Sequence, residues 1–369
     1  MTGDRPGGLG EPIDGVSTAV YRFPTSRPEA DGTLTWDATT AVVATVSAGT
    51  RTGLGWTYSS RPASRVIRDH LAPAITGRNA LDIPGCWSAM HRACRNLGTR
   101  GLVMQALSAV DVALWDLKAR ILDVSLVRLF GRARGTVPVY GSGGFTTLSE
   151  AELAGQVQDW ADHGCTAMKI KIGESWGEAV DRDLQRVRQL RKFAGPDVAL
   201  MVDANGGYTV GQARRVGREL DRAGVVWFEE PVSSDHLDGL AAVRASVDCD
   251  VTAGEYAADV FEAQRLCGVV DCLQLDVTRC GGYTGFLRCS ALADAHGLQV
   301  SGHCAPSLHA PVAAATPNLR HIEWFIDHAR LEPLLVDGAP PVRDGVLVPD
   351  DTVVGHGMSV STRAERYRV

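Results

Sequence analysis

Three short apolar runs, each closing on a carboxylate and spaced about 26 residues apart, constrain this chain more than anything else in it. They run from Val198 to Asp203, from Val225 to Glu229 and from Val251 to Glu255. Successive strand side chains alternate, so Val198, Leu200 and Val202 share one face and Ala199, Met201 and Asp203 the other. Gly206 and Gly207 turn the chain directly after the first run. A single acid at a strand end ordinarily caps a turn or a helix. A series of them means more, because strand C-termini meet on one face in a barrel of repeated strand-helix units, which brings Asp203, Glu229 and Glu255 together. Converging carboxylates repel unless a cation joins them. An all-oxygen set predicts a hard divalent ion, Mg2+, that keeps positions open for water or substrate. Histidine and cysteine are missing from these strand ends, which argues against zinc there.

The rest of the chain agrees with a barrel. After Gly135, short strands alternate with amphipathic helices. Val137 to Tyr140 and Ala167 to Ile172 precede the acid-ended strands, and Cys272–Asp276, Leu298–His303 and His321–Phe325 follow them. Helical spacing turns Leu153, Val157 and Trp160 inward, then Trp176, Val180, Leu184 and Val187, then Val210, Ala213 and Leu220. The prediction is a (β/α)7β TIM-like barrel over residues 135–334. A doubly wound sheet is the competing fold, but its Gly-x-Gly-x-x-Gly fingerprint is absent. Upstream, Val16 to Val20, Ala41 to Val46 and Gly53 to Tyr58 alternate as strands. Arg61 to Val124 is helical, with Leu102, Ala106, Ala109, Val110, Ala113, Leu114 and Leu117 on one stripe. This predicts an α+β capping domain over 1–134, completed by a Pro- and Gly-rich return over 335–369. Between the first two strands, Arg22 to Trp36 reads as a long polar loop, either a lid or a plain surface excursion.

A length of 369 residues accommodates a barrel and a smaller domain. The chain is 45% apolar and 22% charged, as ordinary globular proteins are, and its net charge of −6 offers no basic stripe to nucleic acid. No apolar run is long enough to span a membrane. Met1 to Gly10 is polar and Gly-rich without the apolar segment of a leader, so a loose tail and a cytoplasmic location are expected. Nine cysteines occur singly, without a C-x-x-C pair, as in a reduced protein. Cys304 beside His303 is not read as a nucleophile pair, since adjacent strand residues point to opposite faces.

Within the second barrel strand, Met168, Ile170 and Ile172 suit the helix-facing side, which leaves Lys169 and Lys171 on the inner one. Solvated lysines on an exposed strand are the ordinary alternative, against which the apolar flanks argue. Two ammonium groups side by side near a metal are expected to lower each other's pKa and so supply a base near neutral pH. By the same parity Gln274 with Asp276, and Ser301 with His303, face inward. Asp276 then stands against His303 and fixes its tautomer. Alone, each is a helix-capping Asp or a core His; together they make a dyad. Glu323, between outward-facing Ile322 and Trp324, completes the ring and is placed to donate or accept a hydrogen bond to a substrate oxygen.

The order Lys-x-Lys, Asp, Glu, Glu, Asp, His, Glu at successive strand ends resembles the enolase superfamily, specifically its mandelate racemase subgroup. Ala106 to Leu117 is similar to that family's capping-domain helix, and Gly281-Gly282 after the sixth barrel strand matches it too. The resemblance implies that Asp203, Glu229 and Glu255 hold Mg2+. It makes Lys171 one base, tuned by Lys169, and His303 with Asp276 the acid/base on the other face, while Glu323 stabilises an enolate oxygen. It also implies that the capping domain closes over the substrate, with Thr25, Arg27, Trp56 and Asn205 as substrate-binding residues. The implied reaction is dehydration of an acid sugar, an aldonate or aldarate, to a 2-keto-3-deoxy acid, which is hydro-lyase chemistry. A racemase or epimerase of a 2-hydroxy acid is the alternative, and a catalytically silent binding protein the third. The muconate cycloisomerase subgroup places a lysine where Asp276 stands, which counts against cycloisomerisation. A small-molecule carboxylate substrate, no nucleic acid, no membrane and a homo-oligomeric assembly complete the expectation.

Overall fold

The computed structural model describes residues 10–369, so the expected tail at Met1 to Gly10 lies outside the described residues except for Gly10. Strands β1 (Gly15–Ala30), β2 (Thr35–Ala48) and β3 (Arg51–Tyr58) form an antiparallel sheet in that order. The stretch Arg22 to Trp36 is therefore not a long loop. β1 and β2 continue through it as a hairpin, and only Asp31 to Leu34 turn, with the Asp31 carboxylate accepting from the amides of Thr33 (2.6 Å) and Leu34 (2.7 Å). Exposed Arg22, Pro24, Ser26 and Pro28 alternate with less exposed residues, so the polar character belongs to the solvent face of a strand. The pairing register slips between Pro24 and Glu29, where proline cannot donate to the ladder.

The helix Leu102–Ile121 packs across this sheet. Gly53 and Gly55 permit the approach, because a methyl group at either position would overlap the carbonyl of Ala113 or Ala109. Fourteen residues of that helix are buried, more than a single apolar stripe provides, since its other side meets the barrel. There Asp111 accepts from the amide and hydroxyl of Thr284, and the Ser108 hydroxyl accepts from the amide of Gly281. Gly281 and Gly282 have φ of +93° and +71°, and a Cβ on Gly282 would overlap the Asp111 carboxylate.

Eight parallel strands close a barrel: β4 (Val137–Gly143), β5 (Ala167–Lys171), β6 (Ala199–Asp203), β7 (Val225–Glu229), β8 (Asp250–Ala253), β9 (Cys272–Leu275), β10 (Gln299–Gly302) and β11 (Leu319–Phe325). β11 returns to pair with β4, placing Glu323 opposite Tyr140. Outward side chains such as Met168, Ile170, Leu200 and Val202 join the layer beneath the helices, while Tyr140, Met201, Trp227 and Cys272 fill the interior. A further helix, Ile326–Leu335, follows the eighth strand. Trp176, expected to face inward from a helix, instead lies in a turn with φ of +58° and is 67% exposed, because the helix starts only at Val180. The C-terminal segment pairs Val346 and Leu347 with the start of β4, passes the His356 amide to Asp116 of the capping helix, and ends with the Val369 amide on the carbonyl of Val20.

Candidate active site

Strand register sets the site. Lys171 pairs with Asp203, and Asp203 with Glu229, so these three side chains leave the barrel at one level on adjacent strands. Glu255 lies two residues past the end of β8, and Asp276 and His303 one residue past β9 and β10, so these three are loop residues rather than strand termini. Carboxylate oxygens of Asp203, Glu229 and Glu255 nevertheless all lie within 4.8 Å of one another, and all three residues are buried.

Glu229 and Glu255 are each anchored by one oxygen, and Asp203 by both. Glu229 Oε2 accepts from Lys169 Nζ (2.7 Å), Trp227 Nε1 (2.9 Å) and Gln274 Nε2 (3.1 Å), donors that rise from the barrel floor. Asp203 is held by Lys171 and by the Asn205 amide (2.8 Å), and Glu255 Oε1 by Arg279 (3.1 Å). That leaves Glu229 Oε1, Glu255 Oε2, Glu230 Oε1 and Asn205 Oδ1 buried without a hydrogen-bond donor. Buried acceptors without donors are costly, and several around one point make a fitting cradle for a hard cation. Burial, and then the Asp203, Glu323 and Glu255 carboxylates, push the Glu229 carboxyl up to about 8 in spite of Lys169. Burial alone would raise Glu255 too, but His303 and Arg279 outweigh it and hold that carboxyl at about 2.

Lys169 and Lys171 both face inward, as their parity predicts, and the carboxylates around them oppose the expected lowering of their pKa values. Burial lowers an ammonium, but the carboxylates of Glu229 and Glu323 around Lys169, and of Asp203 beside Lys171, outweigh it and hold both pKa values above the ordinary one. Lys169 is wholly enclosed, with Glu229 at 2.7 Å, Glu323 at 2.9 Å and the Tyr140 hydroxyl at 3.3 Å. Lys171 lies one step nearer the rim. Across from it, His303 Nδ1 lies 2.8 Å from Asp276 Oδ2, and the other Asp276 oxygen accepts from the amide and hydroxyl of Thr278. Burial lowers the imidazole, but Glu255 and the Asp276 hydrogen bond together raise it above its usual value.

Glu323 is held on both oxygens. Oε1 takes the Ser142 hydroxyl (2.6 Å) and Lys169, and Oε2 takes the Cys304 amide (2.8 Å). Although burial raises it, Lys169 and His303 hold this carboxyl well below the ordinary range, which favours accepting over donating a hydrogen bond. Three further residues expected at the substrate make their contacts outside the carboxylate cluster. Thr25 donates to the carbonyl of Arg27, and Arg27 is engaged by Glu152 and the carbonyl of Thr147, outside the carboxylate cluster. Trp56 is 0% exposed, on the face of β3 that also carries Leu54 and Tyr58 and is buried together with barrel residues. Asn205 is at the cluster, with φ of +45°.

The Cys304 thiol is also nearer than alternation allows. Its Sγ lies 3.3 Å from His303 Nε2, because β10 ends at Gly302 and Cys304 has φ of +52°, where strand parity no longer applies. Burial and the Glu323 carboxylate hold this thiol well above its usual pKa, which makes it a poor nucleophile. Arg279, Tyr140, Ser142 and Glu230 were missed from sequence. Tyr140 shares the inward parity that exposes Lys169, whereas Arg279 and Glu230 sit in loops where no period identifies them.

Comparison with known proteins gives concordant results. Residues 152–365 match the family described as enolase C-terminal domain-like, and residues 22–131 match the mandelate racemase / muconate lactonizing enzyme N-terminal domain. The chain is 31% identical over 324 residues to L-talarate/galactarate dehydratase of Salmonella typhimurium LT2, covering 85% of this chain and 79% of that one. It is 32% identical over 359 residues to 3,6-anhydro-alpha-L-galactonate cycloisomerase of Streptomyces coelicolor, covering 94% and 96%. A mandelate racemase/muconate lactonizing enzyme-like protein from Rubrobacter xylanophilus superposes with a TM-score of 0.94 at 41% identity, over 97% of this chain and 100% of that one. The Salmonella dehydratase liganded with Mg and L-lyxarohydroxamate superposes with a TM-score of 0.91 at 27% identity, over 100% and 96%.

Proposed function

The chain belongs to the mandelate racemase / muconate lactonizing enzyme family of the enolase superfamily, and on that premise we propose that it is a Mg2+-dependent acid-sugar dehydratase. Its substrate would be an aldonate or aldarate and its product a 2-keto-3-deoxy acid. One observation carries the proposal: Lys171 and the His303–Asp276 dyad approach the same carboxylate cluster from different strands. A proton next to a carboxylate is very weakly acidic, and dehydration needs both its removal and a proton for the departing β-hydroxyl.

Asp203, Glu229 and Glu255 would hold Mg2+, which when bound supplies positive charge against the substrate carboxylate as the α-proton leaves. Lys171 would take that proton at Nζ once the Asp203 carboxylate that otherwise keeps it protonated is engaged by the metal, with Lys169 held beside it by Glu229 and Glu323. His303 gives the proton at Nε2 to the leaving hydroxyl, its Nδ1 fixed by Asp276. Glu323 does not touch the chemistry in this account. It holds Lys169 on one oxygen and the turn after His303 on the other. The capping sheet closes the mouth, with the Trp36 indole donating to Asp327 (3.1 Å) and Trp36 packed on Phe145 beside Phe325.

A second reading, isomerase chemistry, is favoured by the similarity to the Streptomyces cycloisomerase over nearly the whole of both chains. The same two groups would then shift a proton without loss of water. The deciding experiment incubates the protein and Mg2+ with a panel of aldonates, aldarates and their lactone or anhydro derivatives, in H2O and D2O. A 2-keto acid lost in Lys171→Ala and His303→Asn supports dehydration. Product of unchanged mass, or α-proton exchange with inversion, supports an isomerase, and silence on all substrates supports a binding protein.

A further inference from the structure

We infer that the turn after β10 builds a second, soft-cation site from His303 Nε2, Cys304 Sγ and Glu323 Oε2, separate from the all-carboxylate cradle. These donors lie within 4.8 Å of one another and all three residues are buried. Cys304 Sγ is 3.3 Å and Glu323 Oε2 is 3.7 Å from His303 Nε2. Zinc bonds of about 2.3 Å to sulfur and about 2.0 Å to nitrogen and oxygen, arranged tetrahedrally, require edges of roughly 3.3–3.6 Å, close to these separations. Thiolate, imidazole and carboxylate together are the donor set of zinc rather than of magnesium.

The supporting shell is that of a metal site. Asp276 holds His303 Nδ1 at 2.8 Å, which fixes the ring and turns the Nε2 lone pair toward the sulfur, and the Cys304 amide orients Glu323 Oε2 at 2.8 Å. The two oxygens of Glu323 are divided, Oε1 to Lys169 and Oε2 to this side. Glu255 Oε2 lies 3.3 Å from His303 Nε2 but belongs to the all-carboxylate cradle, which leaves the fourth position to a solvent ligand. What brings the sulfur here is strain. Cys304 and Ala305 have φ of +52° and +41°, a conformation costly for two consecutive residues with side chains. It is held by the Ala305 amide on His328 Nδ1 (2.9 Å) and by His309 Nδ1 at 2.9 Å from the Cys304 carbonyl.

Zinc binding here releases the thiol proton and occupies the His303 Nε2 lone pair. The consequence for turnover rests on the proposed reaction: zinc would inhibit by removing the His303 acid/base, and added Mg2+ would not relieve it. Binding itself does not depend on that reaction.

The test titrates Co2+, as a spectroscopic substitute for zinc, into the full-length protein saturated with Mg2+. One equivalent should produce a sulfur-to-cobalt charge-transfer band. Cys304→Ser should abolish the band and weaken Zn2+ binding by about tenfold or more, while keeping its Mg2+-dependent rise in Tm as the sign of a folded chain. Cadmium-113 NMR of the unaltered Mg2+-saturated protein gives the same answer without a variant, through a resonance in the range of a single thiolate. A cobalt spectrum without a sulfur band, a band that survives in Cys304→Ser, or an all-oxygen cadmium shift would each overturn the site. A protein that binds cobalt through sulfur but turns over no acid would leave this inference standing and the proposed reaction refuted.

Discussion

His303 Nδ1 lies 2.8 Å from Asp276 Oδ2, and Thr278 fills the other oxygen of that carboxylate with donors at 2.7 Å. The carboxylate therefore cannot rotate freely, and the imidazole is fixed with Nε2 toward the carboxylate cluster. Asp276→Asn keeps the size and presents an amide donor or a weaker acceptor to Nδ1, which favours the wrong tautomer and removes the stabilisation of the imidazolium. The expected loss in kcat is about 10²–10⁴-fold, with the Mg2+-dependent rise in Tm retained. Steady-state kinetics beside thermal melts check this, and a loss below tenfold would mean that Asp276 does not orient the base.

Glu229 Oε1 and Glu255 Oε2 are buried without donors, so a cation that satisfies them stabilises the fold. Mg2+ at a hundred times its Kd should add about 2.7 kcal/mol, reversed by chelator. Glu229→Gln and Glu255→Gln should each lose most of that gain. Melting curves with and without Mg2+ decide it, and an unchanged shift in both variants would move the metal elsewhere.

The lysines differ in what their loss exposes. Lys169→Met leaves the Glu229 and Glu323 carboxylates buried without their shared cation, at a cost of about 3–5 kcal/mol. Lys171→Met uncovers chiefly Asp203, which keeps the Asn205 amide, so its stability cost should be smaller and its loss of turnover complete. Denaturant unfolding without Mg2+ compares them. Equal stability costs would overturn the division of labour between a structural and a catalytic lysine.

What the sequence revealed, and where it stopped, follows the reach of strand alternation. Lys169, Lys171 and Asp203 lie within strands, so parity placed each on the inner face, and Glu229 ends its strand where the C-termini converge. Cys304 lies past the strand end at positive φ, and there the same rule misdirected its thiol. The hairpin at Arg22 to Trp36 was misread because its solvent face is polar enough to hide its period, and because the pairing slips after Pro24. Thr25 and Arg27 were tied to substrate by their polarity alone, which does not reveal that Glu152 engages the guanidinium. Trp56 illustrates the converse. A large aromatic beside a predicted lid looked functional, yet it leaves β3 on the face opposite Gly53 and Gly55 and is wholly buried with Leu54 and Tyr58 in the cluster shared with the barrel.

The contact between cap and barrel should also make stability depend on pH. Glu332 is buried where Tyr58 donates to one oxygen (3.1 Å) and Ser307 to the other (2.5 Å), and the Tyr58 ring stacks on His328 with centroids 3.6 Å apart. Burial pushes the Glu332 carboxyl from its ordinary 4.5 up to about 7, against the opposing effect of the Ser307 and Tyr58 hydrogen bonds. The folded state thus keeps a proton that the unfolded chain has released, so this contribution is full below about 4.5 and is lost as pH rises through about 7. Its size is on the order of 3 kcal/mol. Glu332→Gln keeps one acceptor and never ionises, so the variant should lose stability less steeply than the parent between pH 5 and pH 7. Asp111, which burial raises to about 7 as well, contributes equally to both proteins and cancels in the difference. Denaturant unfolding of the pair across this range is the measurement. A difference that stays flat with pH would show that Glu332 ionises alike in the folded and unfolded states, and that the cap is not held by a neutral carboxyl.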